Sequence, residues 1–114
     1  INPAENTTYK AKIGLIYASD YGFAASPSAW ITKLSSYNSS TATSANWMYL
    51  GFYEWTISRF ANYSSAAFLV YSAGDVNSNY VDNSMFGARP VFSLSSSVTY
   101  VSGDGTQNSP IRVN

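Results

Sequence analysis

Residues 54–81 read EWTISRFANYSSAAFLVYSAGDVNSNYV, and this stretch decides the fold. Three segments in it are rich in the aromatic and β-branched residues that favour strands: Glu54–Arg59, Ala67–Ser72 and Val76–Val81. Within Glu54–Arg59, polar and apolar side chains alternate, which is the pattern of a strand with one covered face. The stretch therefore predicts three strands of an antiparallel sheet.

Shorter elements are predicted on both sides of this stretch. Further strands are expected at 11–17, 47–52, 88–94, 98–101 and 111–113, turns at 19–22 and 102–106, a polar loop at 35–46, and a short helix at 26–34. Ser26 and Pro27 mark the start of that helix, because Ser is a favoured N-cap and Pro fits the first helical position. One short helix followed by many short strands predicts an α+β fold with antiparallel sheets.

Residues 67–72 allow two interpretations. In a strand, Phe68 and Val70 point to one side, while Leu69 and Tyr71 point to the other. Both sides are apolar or aromatic, so the segment is either a central strand that is buried on both faces or a strand that presents Leu69 and Tyr71 to solvent. An exposed apolar patch of the second kind usually marks a contact site.

The composition favours a binding domain. A single domain spanning residues 1–114 is expected, with hydrophobic residues at 46% and a formal net charge of zero. Ten tyrosines and three tryptophans supply large contact areas at low entropic cost, which is typical of binding surfaces. No basic stripe indicates a nucleic-acid partner, and no apolar run is long enough for membrane insertion.

The residues for catalysis are scarce, so no enzymatic activity, no catalytic residue and no cofactor are predicted. Without histidine or cysteine, a Ser-His-Asp triad and a thiol nucleophile are excluded, and zinc would lack both of its preferred ligands. The acidic residues Asp75, Asp82 and Asp104 are scattered, so no metal site is predicted. Glu54 is the best candidate for a catalytic acid, because aromatic residues flank it, but it is interpreted as a solvent-facing carboxylate that alternates with a buried Trp55. Arg89 is interpreted as a buried structural guanidinium that needs hydrogen-bond partners, in preference to a substrate-binding residue.

The motifs together resemble a known family. They are KIGLIYASDYG at 12–22, NWM at 46–48, EWTIS at 54–58, GARPVF at 87–92, and GDGT at 103–106 with SP at 109–110. Their order and spacing resemble the variable proteins of diversity-generating retroelements, as found in pilin-like surface proteins of gut Firmicutes and their phages. The Gly-x-Arg-Pro motif is similar to that of formylglycine-generating-enzyme-like domains. The resemblance implies a C-type lectin-like fold with paired termini, so that Ile13–Tyr17 and Ile111–Val113 lie close together.

The resemblance also implies which residues face a ligand. In such families a reverse transcriptase diversifies chosen positions, while a fixed scaffold maintains the fold. The positions expected on the variable, ligand-binding face are Phe60, Asn62, Tyr63, Leu69, Tyr71, Asp75, Asn77, Asn79, Tyr80 and Asp82. Those expected to form the scaffold are Trp55, Ile57, Phe68, Val70, Gly74, Val76 and Val81. Ala29 and Ala45 stand where many relatives carry a cysteine pair.

Three functions are considered, in order of preference. The first is a ligand-binding or adhesion domain that displays diversified residues toward a protein or glycan on a cell surface, located extracellularly on a bacterium or phage or displayed on a pilus. The second is a structural pilin-like or cell-surface subunit that lacks a diversified site and uses its aromatic surface for assembly. An enzyme of the formylglycine-generating type is the third alternative, disfavoured by the missing cysteines.

Overall fold

The computed structural model describes residues 10–114, apart from the side chains of residues 41–43, as a small mixed α/β domain. Its helices are α1 (Ala18–Phe23) and α2 (Ser39–Ala45), with short 3-10 helices at Pro27–Ala29 and Leu34–Ser36. Its strands are β1 (Glu54–Arg59), β2 (Ala66–Val70), β3 (Val76–Tyr80), β4 (Gly87–Ala88), β5 (Tyr100–Ser102) and β6 (Arg112–Val113). The predicted α+β class with short helices and antiparallel strands is confirmed.

The strands form two sheets. A four-stranded sheet has the order β3-β2-β1-β4, and β5 pairs with β6 in a separate two-stranded sheet. The pairs within residues 54–81 are antiparallel as predicted, whereas β1 and β4 run parallel. A tight turn joins β2 to β3, in which Gly74 has a φ of 93° and the backbone N of Tyr71 donates to the Asp75 carbonyl at 2.8 Å.

The hydrophobic core lies between one face of the large sheet and the N-terminal helices. Its buried members are Ile16, Tyr21, Ala25, Ala29, Tyr37, Met48, Val70 and Val76. The hydroxyl of Tyr21 donates to the Gly74 carbonyl at 2.9 Å, and burial raises the pKa of Tyr21, so the hydroxyl keeps its proton and remains a donor. The Asn46 amide donates to the Tyr21 carbonyl at 2.7 Å, which ties the segment after α2 to the core.

The N-terminal segment corrects two predictions. Residues 11–17 form no regular strand; Gly14 exchanges two backbone hydrogen bonds with Val91, at 2.9 and 2.8 Å. Residues 19–22 are part of helix α1 and not a turn. The helix forms because the backbone donors at its start find partners: the Asp20 carboxylate accepts from the Tyr17 backbone N at 2.8 Å, and the Ser58 hydroxyl accepts from the Ala18 N at 2.9 Å.

The middle segment is more helical than predicted. Pro27 does begin a helix, but the predicted helix at 26–34 is replaced by the two 3-10 helices. The predicted polar loop at 35–46 contains α2, and the predicted strand at 47–52 is irregular. Asn46 explains why residues 47–52 do not extend: its side-chain oxygen accepts from the Met48 backbone N at 3.0 Å, a local turn, while its amide group donates to the Tyr21 carbonyl at 2.7 Å.

The C-terminal segment pairs differently from the prediction. The strand expected at 88–94 is reduced to β4 and a single bridge at Val91, because Pro90 has no backbone N–H to donate to a ladder. The expected pairing of the termini is wrong, since Gly14 pairs with Val91 whereas Arg112–Val113 pairs with Tyr100–Ser102. The strand expected at 98–101 begins two residues later, at Tyr100.

The turn predicted at 102–106 lies later in the chain: residues 103–105 are irregular after β5, and the hydrogen-bonded turn is at 106–109, where the Ser109 N donates to the Thr106 carbonyl at 3.2 Å. Gly103 and Gly105 have φ angles of 102° and 87°, which favour glycine over other residues. The exposed carboxylate of Asp104 accepts a hydrogen bond from the Thr106 backbone N at 3.0 Å, and this bond lowers the pKa of Asp104. The two glycines and the Asp104 side chain thus set the path of the chain after β5.

Replacing Gly103 with alanine is expected to unpair β5 from β6. A Cβ at this position would lie 2.1 Å from the Pro110 carbonyl oxygen, and the φ of 102° is strained for alanine. The free energy of unfolding should therefore fall by more than about 1 kcal/mol. The measurement is amide exchange of Thr99 and Asn114, whose backbones bond each other at 2.9 and 3.0 Å. Gly14→Ala is the matched control, since its Cβ would meet nothing within 4 Å. Unchanged protection in Gly103→Ala would contradict this account.

Candidate functional site

An exposed row of aromatic side chains runs along one end of the large sheet. In this aromatic row, Phe60 contacts Phe68 edge-on at 5.3 Å between ring centroids and stacks on Tyr63 at 6.0 Å, and Tyr63 contacts Tyr80 at 6.3 Å. Phe68 packs against the core, whereas Tyr63 and Tyr80 are 57% and 53% exposed. The row is therefore anchored in the core at one end and open to solvent at the other.

A shallow cavity of about 190 Å³ lies beside the exposed end of the row. It is lined by Tyr63, Ala66, Ser78, Asn79 and Tyr80. None of these side chains is charged. Two phenol rings offer stacking surfaces, and the hydroxyl and amide groups offer hydrogen bonds. Such an arrangement suits an uncharged group of a ligand, held by aromatic contact and oriented by a few polar contacts.

A second aromatic cluster covers the opposite face of the sheet. Tyr53 contacts Tyr71 and Phe86, each at 5.0 Å, and Trp55 contacts Phe86 at 5.5 Å. Trp55, Tyr71 and Phe86 are only partly exposed. This sheet-face cluster is a small second core that adds packing to β1, β2 and the segment before β4.

The ten residues predicted for a ligand-binding face do not form one surface. Phe60, Tyr63 and Tyr80 belong to the aromatic row, and Asn79 lines the cavity beside it. Tyr71 belongs to the sheet-face cluster. The remaining positions are spread along the two connections and the edge strand: Asn62 is exposed in the segment after β1, Asp75 is partly exposed in the turn before β3, Asn77 is exposed on β3, and Asp82 is exposed after it.

Strand register explains the split. Tyr80 pairs with Ala66 and Ser78 with Phe68, so Tyr80 shares a sheet face with Phe68. Asn77 pairs with Leu69, which places Asn77 on the opposite face. A ligand that lies on the aromatic row therefore contacts a subset of the ten positions.

The prediction that Leu69 belongs to the ligand-binding face is wrong, because its side chain is completely buried, at 0% exposure. It lies opposite Trp55 on β1, on the same sheet face as Tyr71. The alternation that assigns it to the face opposite Val70 is right, but that face is covered by the sheet-face cluster. The alternative of a central strand buried on both faces holds for Leu69.

Two positions expected to be buried in the scaffold are exposed in the structure. Val70, Gly74 and Val76 are buried as predicted, while Ile57 and Val81 are 50% and 58% exposed. Ile57 follows Trp55 by two residues and therefore lies on the same face of β1, the face away from the core, where its side chain stays exposed.

Glu54 is buried and forms an ion pair with Arg89, whose side chain is 25% exposed, so the interpretation of Glu54 as solvent-facing is wrong. The Glu54 side chain is 3% exposed and its Oε2 accepts from Nη2 of Arg89, which also donates to the Met48 carbonyl at 2.9 Å. The hydrogen-bond partners predicted for Arg89 are found, whereas its predicted burial is only partial. The pair lies 35 residues apart in sequence and connects the start of β1 to the segment after β4.

Sequence reasoning missed an aromatic cleft on the helical side. A cavity of about 230 Å³ is lined by Ser19, Gly22, Phe23, Trp30, Thr32, Leu34 and Tyr37. Phe23 and Trp30 meet edge-on at 5.5 Å and are 69% and 52% exposed. The Trp30 indole N–H donates to the Ala25 carbonyl at 2.9 Å, which fixes the ring. The only signal in the sequence is the presence of both rings near Pro27.

Comparison of the chain with protein-family models, with curated proteins and with solved structures gives no match. Over residues 10–114, no cluster of three or more metal-ligating side chains is found. In the same range, none of the helices has the length and apolar character needed to cross a membrane. The resemblance to retroelement variable proteins therefore rests on the sequence motifs alone.

Proposed function

We propose that the domain is a non-enzymatic ligand-binding module that uses the aromatic row to contact a protein or glycan on a cell surface. The observation that carries the proposal is the pair Tyr63 and Tyr80, more than half exposed beside a cavity without charged side chains. Aromatic side chains held in place by packing are the usual anchors of binding surfaces, because little entropy is lost when they are covered.

The proposal extends to the fold family and the location of the domain. We infer a C-type lectin-like scaffold of the kind used by retroelement variable proteins, with extracellular display on a bacterium, a pilus or a phage. Support comes from the motif order and from the exposure of Asn62, Tyr63, Tyr80 and Asp82 between and after the strands β1, β2 and β3. A genome that encodes a reverse transcriptase and a near-copy of segment 55–92 differing at adenines would support it, and a locus without both would remove it.

Loss of the two exposed tyrosines is expected to abolish most of the affinity. The domain is screened on printed glycan and cell-surface protein arrays, and the bound ligands are then titrated with Tyr63→Ser/Tyr80→Ser. An anchor residue contributes about 2 kcal/mol or more, so affinity should fall by roughly 30-fold or more. Tyr17→Ser is the matched control, because Tyr17 is 57% exposed and lies outside the row. Equal binding by the double variant and the parent would reject the aromatic row as the site.

The second candidate is a structural subunit that assembles through its apolar surface. It is favoured by large apolar side chains outside the aromatic row, since Ile31, Met85 and Trp47 are 92%, 84% and 79% exposed. Concentration-dependent assembly in sedimentation experiments, unaffected by Tyr63→Ser/Tyr80→Ser, would favour this function over ligand binding. A monomer at all concentrations would disfavour it.

A further inference from the structure

Within residues 10–114, strand β3 lies at the free edge of the large sheet. Its outward backbone groups can be identified from its pairing with β2. Asn77 pairs with Leu69 and Asn79 with Ala67, and the flanking hydrogen bonds Tyr71 N to Asp75 O and Val81 N to Ser65 O continue the same ladder. In an antiparallel pair, alternate residues direct both backbone groups toward the partner strand. The N–H and C=O groups of Val76, Ser78 and Tyr80 therefore point toward the free edge.

Two of these outward N–H groups are occupied by the side chain of the preceding asparagine. The Asn77 Oδ1 accepts from the Ser78 N at 2.9 Å, and the Asn79 Oδ1 accepts from the Tyr80 N at 2.8 Å. The Tyr80 carbonyl in turn accepts from the Asn83 N at 3.2 Å. Asparagine is a poor strand former, so its presence at two of the five positions of β3 is unexpected without such a role.

We propose that Asn77 and Asn79 close the β3 edge against strand pairing with a second copy of this chain. A row of free backbone donors and acceptors is complementary to another extended strand, and unprotected edges of this kind pair between molecules. The two amide oxygens take up the donors that such pairing needs. The asparagines thus act on their own backbone, in addition to any contact that Asn79 makes in the cavity.

The geometry specifies the pairing that the asparagines prevent. Strand β3 packs against the 3-10 helix Leu34–Ser36, and Val76 at its start is only 5% exposed, so the accessible part of the edge is Ser78–Tyr80. A two-fold antiparallel pair centred on Asn79 places Ser78 of each copy opposite Tyr80 of the other. These two pairs use the Ser78 and Tyr80 backbone groups, and the Asn79 residues meet as the intervening non-bonded pair, with Cα atoms about 4.5 Å apart.

The first experiment compares Asn77→Ala/Asn79→Ala with the parent by analytical ultracentrifugation. Alanine removes the amide oxygen without adding a strand-forming side chain, so any new association reports the uncovered N–H groups. We expect the dimer dissociation constant to fall at least tenfold. The control Asn77→Asp/Asn79→Asp keeps an acceptor oxygen at both positions and should stay as monomeric as the parent. Equal self-association of the alanine variant and the parent overturns the proposal.

A cross-link then tests the register. The chain has no cysteine, so Asn77→Ala/Asn79→Cys carries a single thiol at the centre of the expected pair. A Cα separation of about 4.5 Å lies within the range that a disulfide bridges. We expect a disulfide-linked dimer on mild oxidation, while Asn62→Cys, exposed after β1, should remain mostly monomeric. Association of the alanine variant without a cross-link in Asn77→Ala/Asn79→Cys places the contact elsewhere and overturns the proposal.

Amide exchange in Asn77→Ala tests whether the asparagine side chain protects the outward N–H group of β3, even if the double variants fold poorly. The Ser78 amide loses its acceptor in this variant, and its exchange rate should rise at least tenfold. The Asn77 and Asn79 amides point toward β2, so their rates should not change. An unchanged Ser78 rate means that the asparagine does not hold the edge, whatever the outcome of the ligand-binding experiments.

Discussion

Arg89→Ala should lower the free energy of unfolding by about 3–5 kcal/mol, because it leaves the buried Glu54 carboxylate without its cationic partner. Glu54 is 3% exposed and receives its hydrogen bond from Arg89, which also binds the Met48 carbonyl at 2.9 Å. The measurement is chemical denaturation of the parent and the variant at neutral pH. The loss reflects the stranded charge more than the net contribution of the pair.

The double replacement Glu54→Leu/Arg89→Met separates these two effects. The Glu54 Oε1 and the Arg89 Nε are buried and make no hydrogen bond within the described part of the chain, so the pair is incompletely satisfied. Replacing an incompletely satisfied buried pair by apolar residues is often neutral. We therefore expect the double variant to be more stable than Arg89→Ala. If Arg89→Ala unfolds like the parent but loses ligand binding, Arg89 belongs to the binding site.

The central strands can be predicted from the sequence because their signals are local. The alternation in Glu54–Arg59 places β1 without error, and the boundaries of β2 and β3 differ from the predictions by one or two residues. The glycines after β5 are equally informative, since positive φ angles are a local property. These elements need no knowledge of the rest of the chain.

Several predictions from the sequence are wrong because contacts between residues far apart in the chain determine the local structure. Helix α1 depends on Ser58, which lies 40 residues beyond the Ala18 N that it accepts from. Glu54 is buried in an ion pair with Arg89, and the sequence around Glu54 does not predict that partner. Polar Ser and Thr residues at 35–46 are typical of a loop, yet α2 forms there. Such tertiary contacts override local preference.

The candidate site is predictable only in part, for the same reason. Tyr63 and Tyr80 are expected to face solvent, and they do. Alternation along β2 gives the side of the sheet on which Leu69 lies, but not what covers that side. Its cover comes from Tyr53, Trp55 and Phe86, which belong to other segments. The asparagines of β3 are expected to contact a ligand, whereas their oxygens bind their own backbone.

Leu69→Ala should destabilise the domain by about 2–5 kcal/mol, the usual cost of a cavity left by truncating a fully buried leucine. Leu69 has 0% exposure and lies opposite Trp55, so truncating its side chain removes contacts that are entirely inside the fold. The matched control is Leu94→Ala, because Leu94 is 56% exposed. Its loss should stay within about 0.5 kcal/mol, as for most surface changes.

Comparing these leucine variants with Tyr63→Ser/Tyr80→Ser distinguishes residues that face a ligand from residues that stabilise the fold. We expect Leu69→Ala to lower stability while the folded fraction keeps its ligand affinity, and the tyrosine variant to lose affinity with little loss of stability. The reason is that Leu69 holds the sheet from its covered face, whereas both tyrosines are more than half exposed. If Leu69→Ala instead unfolds like Leu94→Ala and binds more weakly, Leu69 faces the ligand and the covered face is the binding surface.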